Sequence, residues 1–304
     1  MEDLQNRPIK SLRISITPKC NLNCFYCHKE GHNIIENKLM TPKEIGQIVK
    51  YSTKYGVNKL KISGGEPLLR NDLPEIIKYS KHKQIKDISL TTNGILLNKV
   101  GDKLKEVGLN RVNISLDTLN PKLYKEITGG NVNLVKKGIE KAVSIDLNPV
   151  KINFVVMSNT IDDLPNIIEY CKELGVILQI IEFIPMDDNL KKYHYDINII
   201  ENKIKNKAEK VVVRKNMQNR KKYIVEGLEI EFVRPMDNTE FCNHCTRIRL
   251  TYDGKLKPCL LRDDNLIDIL TPIRNGEKDL DKYFKNCIFN RDIYFKGNII
   301  KDKG

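Results

Sequence analysis

The sequence predicts an α/β protein, an incomplete (β/α)6 TIM-like barrel followed by a C-terminal extension. Three observations carry that expectation. Six short apolar runs alternate with amphipathic stretches of helical length over about the first 205 residues. A full eight-unit barrel takes ~250 residues, more than that span holds. The rhythm then breaks after Asp187, and a different texture follows. An open doubly wound sheet is the other closure the same rhythm allows. Both closures gather function at the C-terminal ends of the strands.

The six runs are residues 12–17, 59–63, 87–91, 111–117, 150–157 and 177–183. Strand–helix units in series give parallel strands joined by right-handed crossovers. Thr41-Pro42-Lys43-Glu44 opens one of the helices, with a capping Thr, Pro at the first helical position and Glu completing a capping box. Gly56 is the predicted end of that helix. Residues 187–210 are polar and rich in Lys and Asn. Residues 211–215, 222–226 and 228–233 then read as short strands, with a turn at Glu226-Gly227. A domain transition is placed there, giving an N-terminal domain of residues 1–208 and a C-terminal domain of residues 209–304.

Forty per cent hydrophobic residues in a chain of 304 suffice for a sizeable core. The net charge of +13 suits an anionic partner: nucleic acid, an acidic lipid surface or a phosphorylated small molecule. Many of the lysines would still belong to a solvated surface. The first residues lack the apolar core of a signal peptide, and no apolar run approaches the ~20 residues that span a bilayer. The longest candidate, residues 175–185, is interrupted by Gln179 and Glu182 and reads as a buried strand. A cytoplasmic protein without membrane contact is expected. Its eight cysteines therefore point to metal or catalysis rather than disulfides.

Cys20-x-x-x-Cys24-x-x-Cys27 follows directly after the first strand. Thiolates are soft ligands for iron–sulfur clusters, zinc or Cu(I). Three of them at close spacing can each take one iron of a cubane, which leaves the fourth iron open to a chelating ligand. Zinc with a fourth ligand is the competing assignment, although zinc sites more often use paired cysteines from two segments. His28 and His32 stand close by and read as solvent-facing loop residues. Cys242-x-x-Cys245 and Cys259 form a second set, for which a zinc ribbon competes. Cys171 and Cys287 stand alone and read as small buried hydrophobes.

With Tyr26 before the third cysteine, and Ile62-Ser63-Gly64-Gly65-Glu66-Pro67 ending the second strand, the chain resembles the radical S-adenosylmethionine superfamily. The two glycines are expected to uncover main-chain groups for the methionine amino group, with Glu66 and Pro67 fixing the turn. The resemblance implies a [4Fe-4S] cluster on Cys20, Cys24 and Cys27 that binds S-adenosylmethionine through its open iron. Reductive cleavage then gives methionine and a 5′-deoxyadenosyl radical, with Tyr26, Gly65 and Ser115 contacting the cofactor.

Cys242-x-x-Cys245-x-Arg247-x-Arg249 with Cys259, behind such a core, is similar to the MoaA family, over residues 13 to about 261. This resemblance implies a GTP 3′,8-cyclase of molybdenum cofactor biosynthesis. A second [4Fe-4S] cluster on Cys242, Cys245 and Cys259 would hold guanine, and the extension that carries it would close the barrel mouth. The radical would take the ribose C3′ hydrogen of GTP, and C3′ would bond to guanine C8 to give 3′,8-cyclo-7,8-dihydro-GTP. Arg13, Lys61, Thr91, Lys151, Arg247, Ile248 and Arg249 would contact GTP. A reducing electron donor and a downstream cyclic pyranopterin monophosphate synthase are implied as partners, and a homodimer is compatible.

The match has departures. Gln179 and Ile184 stand where many members have Arg and Met, and Lys61 where Arg is common. The chain ends Asp302-Lys303-Gly304 rather than Gly-Gly. Two other readings compete. A peptide-modifying radical enzyme with an auxiliary cluster would usually carry more C-terminal cysteines. A zinc-bearing nucleic-acid binder would need a basic face with stacking aromatics. Tyr and Phe do not cluster with the basic runs, so no nucleic-acid partner is expected.

Overall fold

A computed structural model describes residues 1–29, 39–215, 217–236, 239–260 and 262–292. His32 and the C-terminal tail lie outside the described residues. The first part of the chain runs β1 (Ser11–Ser15), α1 (Pro42–Ser52), β2 (Lys59–Ser63), α2 (Leu73–Ser80), β3 (Asp87–Thr92) and α3 (Leu97–Glu106). It continues with β4 (Arg111–Ser115), α4 (Pro121–Thr128), α5 (Val132–Ser144), β5 (Lys151–Val156), α6 (Leu164–Leu174), β6 (Ile177–Glu182) and α7 (Ile197–Lys207). The later elements are β7 (Lys210–Arg214), β8 (Arg220–Val225), β9 (Leu228–Val233), α8 (Thr239–Asn243), β10 (Arg247–Leu250), β11 (Lys255–Lys257), β12 (Ile267–Asp268), α9 (Leu270–Arg274) and α10 (Asp281–Phe289).

The local signals act as their chemistry requires. Both bonds of the α1 capping box form, with Glu44 N donating to Thr41 Oγ1 at 3.3 Å and Thr41 N to Glu44 Oε2 at 2.7 Å. Gly56 does not end α1 directly. The helix stops at Ser52, a tight turn of Thr53–Tyr55 intervenes, and Gly56 closes that turn at φ +100°. Glu226 and Gly227 both have positive φ and join β8 to β9 as a two-residue hairpin with Val225 opposite Leu228. The polar stretch after Asp187 is not irregular throughout. It holds α7, capped by Asp196 and buried through Ile197, Ile200 and Ile204 along one stripe.

All twelve strands join one sheet, in the order β12-β11-β10-β1-β2-β3-β4-β5-β6-β9-β8-β7. Strands β1 to β6 are parallel and in chain order. The C-terminal strands extend both edges: β10 lies parallel beside β1 and β9 parallel beside β6. Eight neighbouring strands therefore run parallel, flanked by antiparallel β11–β12 and β8–β7. Residues on either side of position 208 thus share one sheet.

Alternation along the strands divides the sheet into two faces. Leu12, Ile14, Leu60, Ile62, Leu90, Ile114, Ile152, Phe154, Leu178, Ile180, Ile230 and Leu250 are buried together in the core with residues of the helices. Arg13, Lys61, Ser89, Asn113, Lys151, Gln179, Glu231 and Arg249 occupy the other face. Register sets them side by side: Arg249 opposite Arg13, Arg13 opposite Lys61, Lys61 opposite Ser89, Asn113 opposite Lys151, and Gln179 opposite Glu231. Parallel strands covered on both faces usually read as continuous apolar runs. These alternate because their second face is a polar interior.

Ile248 has its side chain in the core. It pairs with Leu12, is fully buried, and packs in the apolar core, so its side chain is turned away from the face that carries Arg247 and Arg249. Ile248→Ala should cost about 2–5 kcal/mol of stability, the usual range for a buried aliphatic truncation. Denaturant unfolding of the full chain measures this. A loss well under ~1 kcal/mol would contradict the core assignment.

Candidate functional site

Cys20, Cys24 and Cys27 lie on the loop that leaves β1, and all three are free thiols. Two of their sulfurs accept main-chain donors: Leu22 N lies 3.4 Å from Cys20 Sγ, and Lys29 N 3.4 Å from Cys27 Sγ. The loop rests on the end of β2. Gly65 N donates to Thr17 O and Glu66 N to Lys19 O, each at 2.7 Å. A Cβ on Gly65 would stand 2.3 Å from Lys19 O, and one on Gly64, at φ +150°, 2.6 Å from Thr17 O. The glycine pair is therefore required by the contact of two backbones. The Gly65 N–H is taken up by Thr17 O, and an amino group, being a donor, would meet carbonyl oxygens instead.

Glu66 joins three segments. It is fully buried, and it accepts Leu68 N at 2.9 Å, Thr92 Oγ1 at 2.7 Å and Asn93 N at 2.7 Å. Burial pushes its carboxyl above the usual range, while these donors oppose that rise. Asn93 Nδ2 in turn donates to Asn21 Oδ1 at 2.8 Å, beside Cys20. A similar prop supports the third cysteine. Tyr26 Oη donates to Asp117 Oδ2, and Val155 N donates to Asp117 Oδ1 at 2.9 Å. Burial raises the Asp117 carboxyl to about 6, and burial with the Asp117 charge raises the Tyr26 phenol well above its ordinary value. The Tyr26 side chain is thus committed to the protein. Ser115 ends β4 opposite Asn153 on β5. Thr91 Oγ1 and Asn153 Oδ1 are buried without a hydrogen-bond partner, an arrangement that native proteins seldom leave unanswered.

Cys242 lies in α8, Cys245 just before β10 and Cys259 just after β11. Arg247 opens β10 opposite Ser11, the first residue of β1, whereas Cys20 follows the last. The second trio therefore sits at the N-terminal end of β1 and the first at its C-terminal end. The five residues of β1 separate the two by about 13 Å of strand. Their electrostatic settings differ too. Burial, Asp117 and the neighbouring cysteines push the Cys24 thiol up to about 12. Burial acts the same way on Cys245, but Arg291, Arg247 and Arg249 outweigh it and hold the thiol below its ordinary value. Each trio offers three unbridged sulfur donors, a set that fits a four-iron cluster with one iron left open. Among the described residues no three His, Cys, Asp or Glu side chains meet as ligands of a single ion would. Cys171 and Cys287 are fully buried, and burial raises both thiols to about 12, as expected of packing residues.

A cavity of about 780 Å³ opens over the polar face, with Lys61, Arg111, Lys151, Gln179, Arg214, Arg220 and Glu231 in its lining. Lys61 is enclosed. Burial, with Arg13, Arg247, Arg111 and Arg220 nearby, holds its ammonium far below the usual lysine range. Lys151 Nζ lies 2.6 Å from Glu231 Oε1, yet burial outweighs that partner and lowers its pKa to about 8. Glu231 is itself buried. Burial alone would raise it, but Lys151, Arg214 and Arg220 hold it near 2. Arg214 Nη1 and Gln179 Nε2, the latter at 3.0 Å, also donate to Glu231.

This placement revises the sequence reading. Lys151 is the first residue of β5, and Arg13 and Lys61 lie mid-strand. The cations run from mid-strand towards the N-terminal ends, below the Cys20 loop and the C-terminal end of β3 that carries Thr91. Sequence reasoning missed Glu231, Arg214, Arg220, Asn153 and Asp117. The period of two marks Glu229 and Glu231 against Lys222 and Arg220, but without the β9–β6 pairing nothing aims them at Lys151.

The ammonium of Lys151 is charged below about 8 and neutral above. Binding of a polyanion such as GTP should therefore weaken as pH rises through that value. Calorimetric titration of the full chain would follow this, and Lys151→Met should flatten the dependence. An unchanged pH profile in that variant would remove Lys151 from the anion site.

Two family models cover most of the chain: the radical SAM superfamily over residues 14–171 and Molybdenum Cofactor Synthesis C over residues 176–296. A protein of Methanococcus aeolicus described as a probable GTP 3′,8-cyclase is 74 % identical over 97 % of this chain and 100 % of its own length. Proteins so described from Methanocaldococcus jannaschii and Methanothermobacter thermautotrophicus are 65 % and 44 % identical, each over 97 % of this chain and 99 % of their own. Among solved structures, Streptococcus suis SuiB bound to S-adenosylmethionine aligns with a TM-score of 0.68 at 19 % identity, over 92 % of this chain and 66 % of that one. Native anSMEcpe with bound AdoMet aligns at 0.65 and 18 % identity, over 92 % and 81 %. These two likenesses establish a shared fold. Together with the near-full-length relatives and the two cysteine motifs, they lead to one conclusion: the chain belongs to the radical S-adenosylmethionine superfamily and, within it, to the MoaA family of GTP 3′,8-cyclases.

Proposed function

We propose that this chain is a GTP 3′,8-cyclase of molybdenum cofactor biosynthesis that works from two [4Fe-4S] clusters at opposite ends of one polar sheet face. The observation that carries the reading is the cavity itself. Eight cationic side chains and four carboxylates line it, and the phosphates of a nucleoside triphosphate would balance the excess. A volume of about 780 Å³ lies within the range of small-molecule sites.

In this reading Cys20, Cys24 and Cys27 hold the first cluster, and Cys242, Cys245 and Cys259 the second. Arg13, Lys61 and Lys151 take the phosphates, with Glu231 favouring the charged form of Lys151 and orienting it. Thr91 Oγ1 and Asn153 Oδ1 answer hydroxyl or amide groups of the bound nucleotide or cofactor. Arg247 and Arg249 project beside the second trio. Gly65 and Ser115 border the S-adenosylmethionine site at the C-terminal strand ends, where Tyr26 and Glu66 stiffen the walls. With cluster and S-adenosylmethionine bound, the site gains a 5′-deoxyadenosyl radical able to take the ribose C3′ hydrogen, and C3′–C8 bond formation gives 3′,8-cyclo-7,8-dihydro-GTP.

The parallel strands read as a partial barrel to which residues from 209 onward add β9 and β10 at the edges, and the rest of that segment would close its mouth. The enzyme would work in the cytoplasm, take electrons from a reducing donor and pass its product to a cyclic pyranopterin monophosphate synthase. Among the described residues no helix is long and apolar enough to cross a membrane. A peptide-modifying activity has the shared fold for support, and one fold hosts many chemistries.

Anaerobically reconstituted full chain, given S-adenosylmethionine, reductant and GTP, should release 5′-deoxyadenosine and the cyclised nucleotide. Cofactor cleavage that proceeds equally well without GTP would overturn the assignment. The combined Cys242→Ala, Cys245→Ala, Cys259→Ala variant should lose about half the iron.

A further inference from the structure

We propose that Asp3, Arg7 and Arg291 form a buried clamp that positions the Cys242–Cys245 loop and raises the reduction potential of the cluster on it. The proposal rests on the reading of a second cluster given above. Its own ground is geometric.

The Asp3 carboxylate is the hub. Its Oδ1 accepts Gln5 N at 3.0 Å and Arg7 N at 2.9 Å. Its Oδ2 lies 2.7 Å from Arg7 Nε and 3.0 Å from Arg291 Nη1. The three side chains are 0 %, 7 % and 3 % exposed, so the ion triad is inside the protein. Each guanidinium then reaches one cysteine. Arg7 Nη1 donates to Cys242 O at 3.0 Å, and Arg291 Nη2 donates to Cys245 O. Arg7 Nη2 also donates to Asp292 O at 2.7 Å, tying the two ends of the described chain together. Both main-chain carbonyls of the CxxC pair are thus capped by guanidinium groups that share one acid.

Two cations against one anion leave a net positive charge beside the sulfurs. A buried ionic triad is costly and is poor evidence for stability, since apolar groups of similar volume usually serve at least as well. What it supplies here is direction and charge. The planar forks fix the carbonyls, and through them the orientation of the thiols. The net charge favours the reduced, more negative state of a cluster, because potential follows charge and hydrogen bonding around the sulfurs. Asp3, Arg7 and Arg291 touch no substrate and act through the cysteines, as positioning residues. They answer to no motif named in the sequence reading, since their link exists only where both chain ends meet.

The test compares Arg291→Gln and Arg291→Lys with the parent chain, each reconstituted anaerobically with iron and sulfide. Iron is counted before and after a chelator challenge, and both clusters are followed in a redox titration by electron paramagnetic resonance. The parent should hold about eight iron per chain. Arg291→Gln should lose second-cluster iron faster, and the remaining second signal should move to lower potential while the first stays in place. Arg291→Lys keeps the charge and should bring the potential back towards the parent value while still losing iron faster. If Arg291→Gln yields no folded protein, Arg7→Lys carries the test, with faster iron loss at an unchanged second potential as the supporting result. Unchanged iron retention and potential in Arg291→Gln, or in its absence unchanged retention in Arg7→Lys, would overturn the clamp, as would a parallel shift of both signals. A parent with about four iron would instead overturn the second cluster itself.

Discussion

Like charge crowded onto one face of a sheet is the constraint on which this structure turns. Register sets Arg13 between Arg249 and Lys61, on strands about 4.8 Å apart. Two unit charges about 5 Å apart repel by roughly 3 kcal/mol at an effective dielectric near 20. Burial is the first cause of the lowered affinity of Lys61 for its proton, and the four guanidiniums around it lower it further. Glu231 answers Lys151 and Arg214, and Asp87 pairs with Arg111 at 2.6 Å, but neither carboxylate reaches the Arg13–Lys61 row in the sheet. Cations outnumber carboxylates in the cavity over that face, eight to four. The opposite face has no such problem, since alternating aliphatic residues bury it under helices.

Topology then decides what chemistry can meet an anion on that face. A parallel strand carries its loops to defined ends, so the β1 loop delivers Cys20, Cys24 and Cys27 to one end of the polar face. Strand β10 returns from the far end of the chain to lie beside β1, which puts Cys245 and Arg247 at the other end. The two trios live in different fields as a result. Cys24 shares its surroundings with Asp117, while Cys245 sits among Arg247, Arg249 and Arg291. Those guanidiniums favour the thiolate form of Cys245, the form that ligates iron. The first trio depends instead on main-chain donors and on rigidity: the backbone contact at Gly64–Gly65 and the buried Glu66 and Asp117.

Much of this was legible in the sequence because it is local. Six strands, the Thr41 capping box and the Glu226-Gly227 hairpin each depend on residues a few positions apart. The spacing of Arg247 and Arg249 likewise put both on one face of β10. What stayed hidden depends on long-range pairing. Nothing near Leu228 or Arg247 in the sequence says that β9 will border β6 or that β10 will border β1. Without those pairings Glu231 has no visible relation to Lys151, and Ile248 reads as a neighbour of two arginines rather than of Leu12. Helix α7 was obscured by its Asn and Lys content, which masked the three isoleucines on its buried stripe. The pair Asp3 and Arg7 looked like an ordinary polar N-terminus until Arg291 was found against it.

The departure at Gln179 now has a physical account. Many family members carry Arg at that position, and its loss would strip a charge from the cavity wall. Here Gln179 is buried and donates to Glu231 as a neutral amide. Arg214 reaches that same carboxylate from the β7–β8 hairpin, and Arg220, in the same hairpin, adds its field to it. The guanidiniums that act on Glu231 come from the β7–β8 hairpin, beyond β9. A third guanidinium at position 179 would crowd a carboxylate already facing Lys151 and two arginines. The amide avoids that repulsion and still donates to Glu231 Oε2, the oxygen that Lys151 and Arg214 leave to it. The floor keeps its excess positive charge, and what changes is which element of the fold must be in place to supply it.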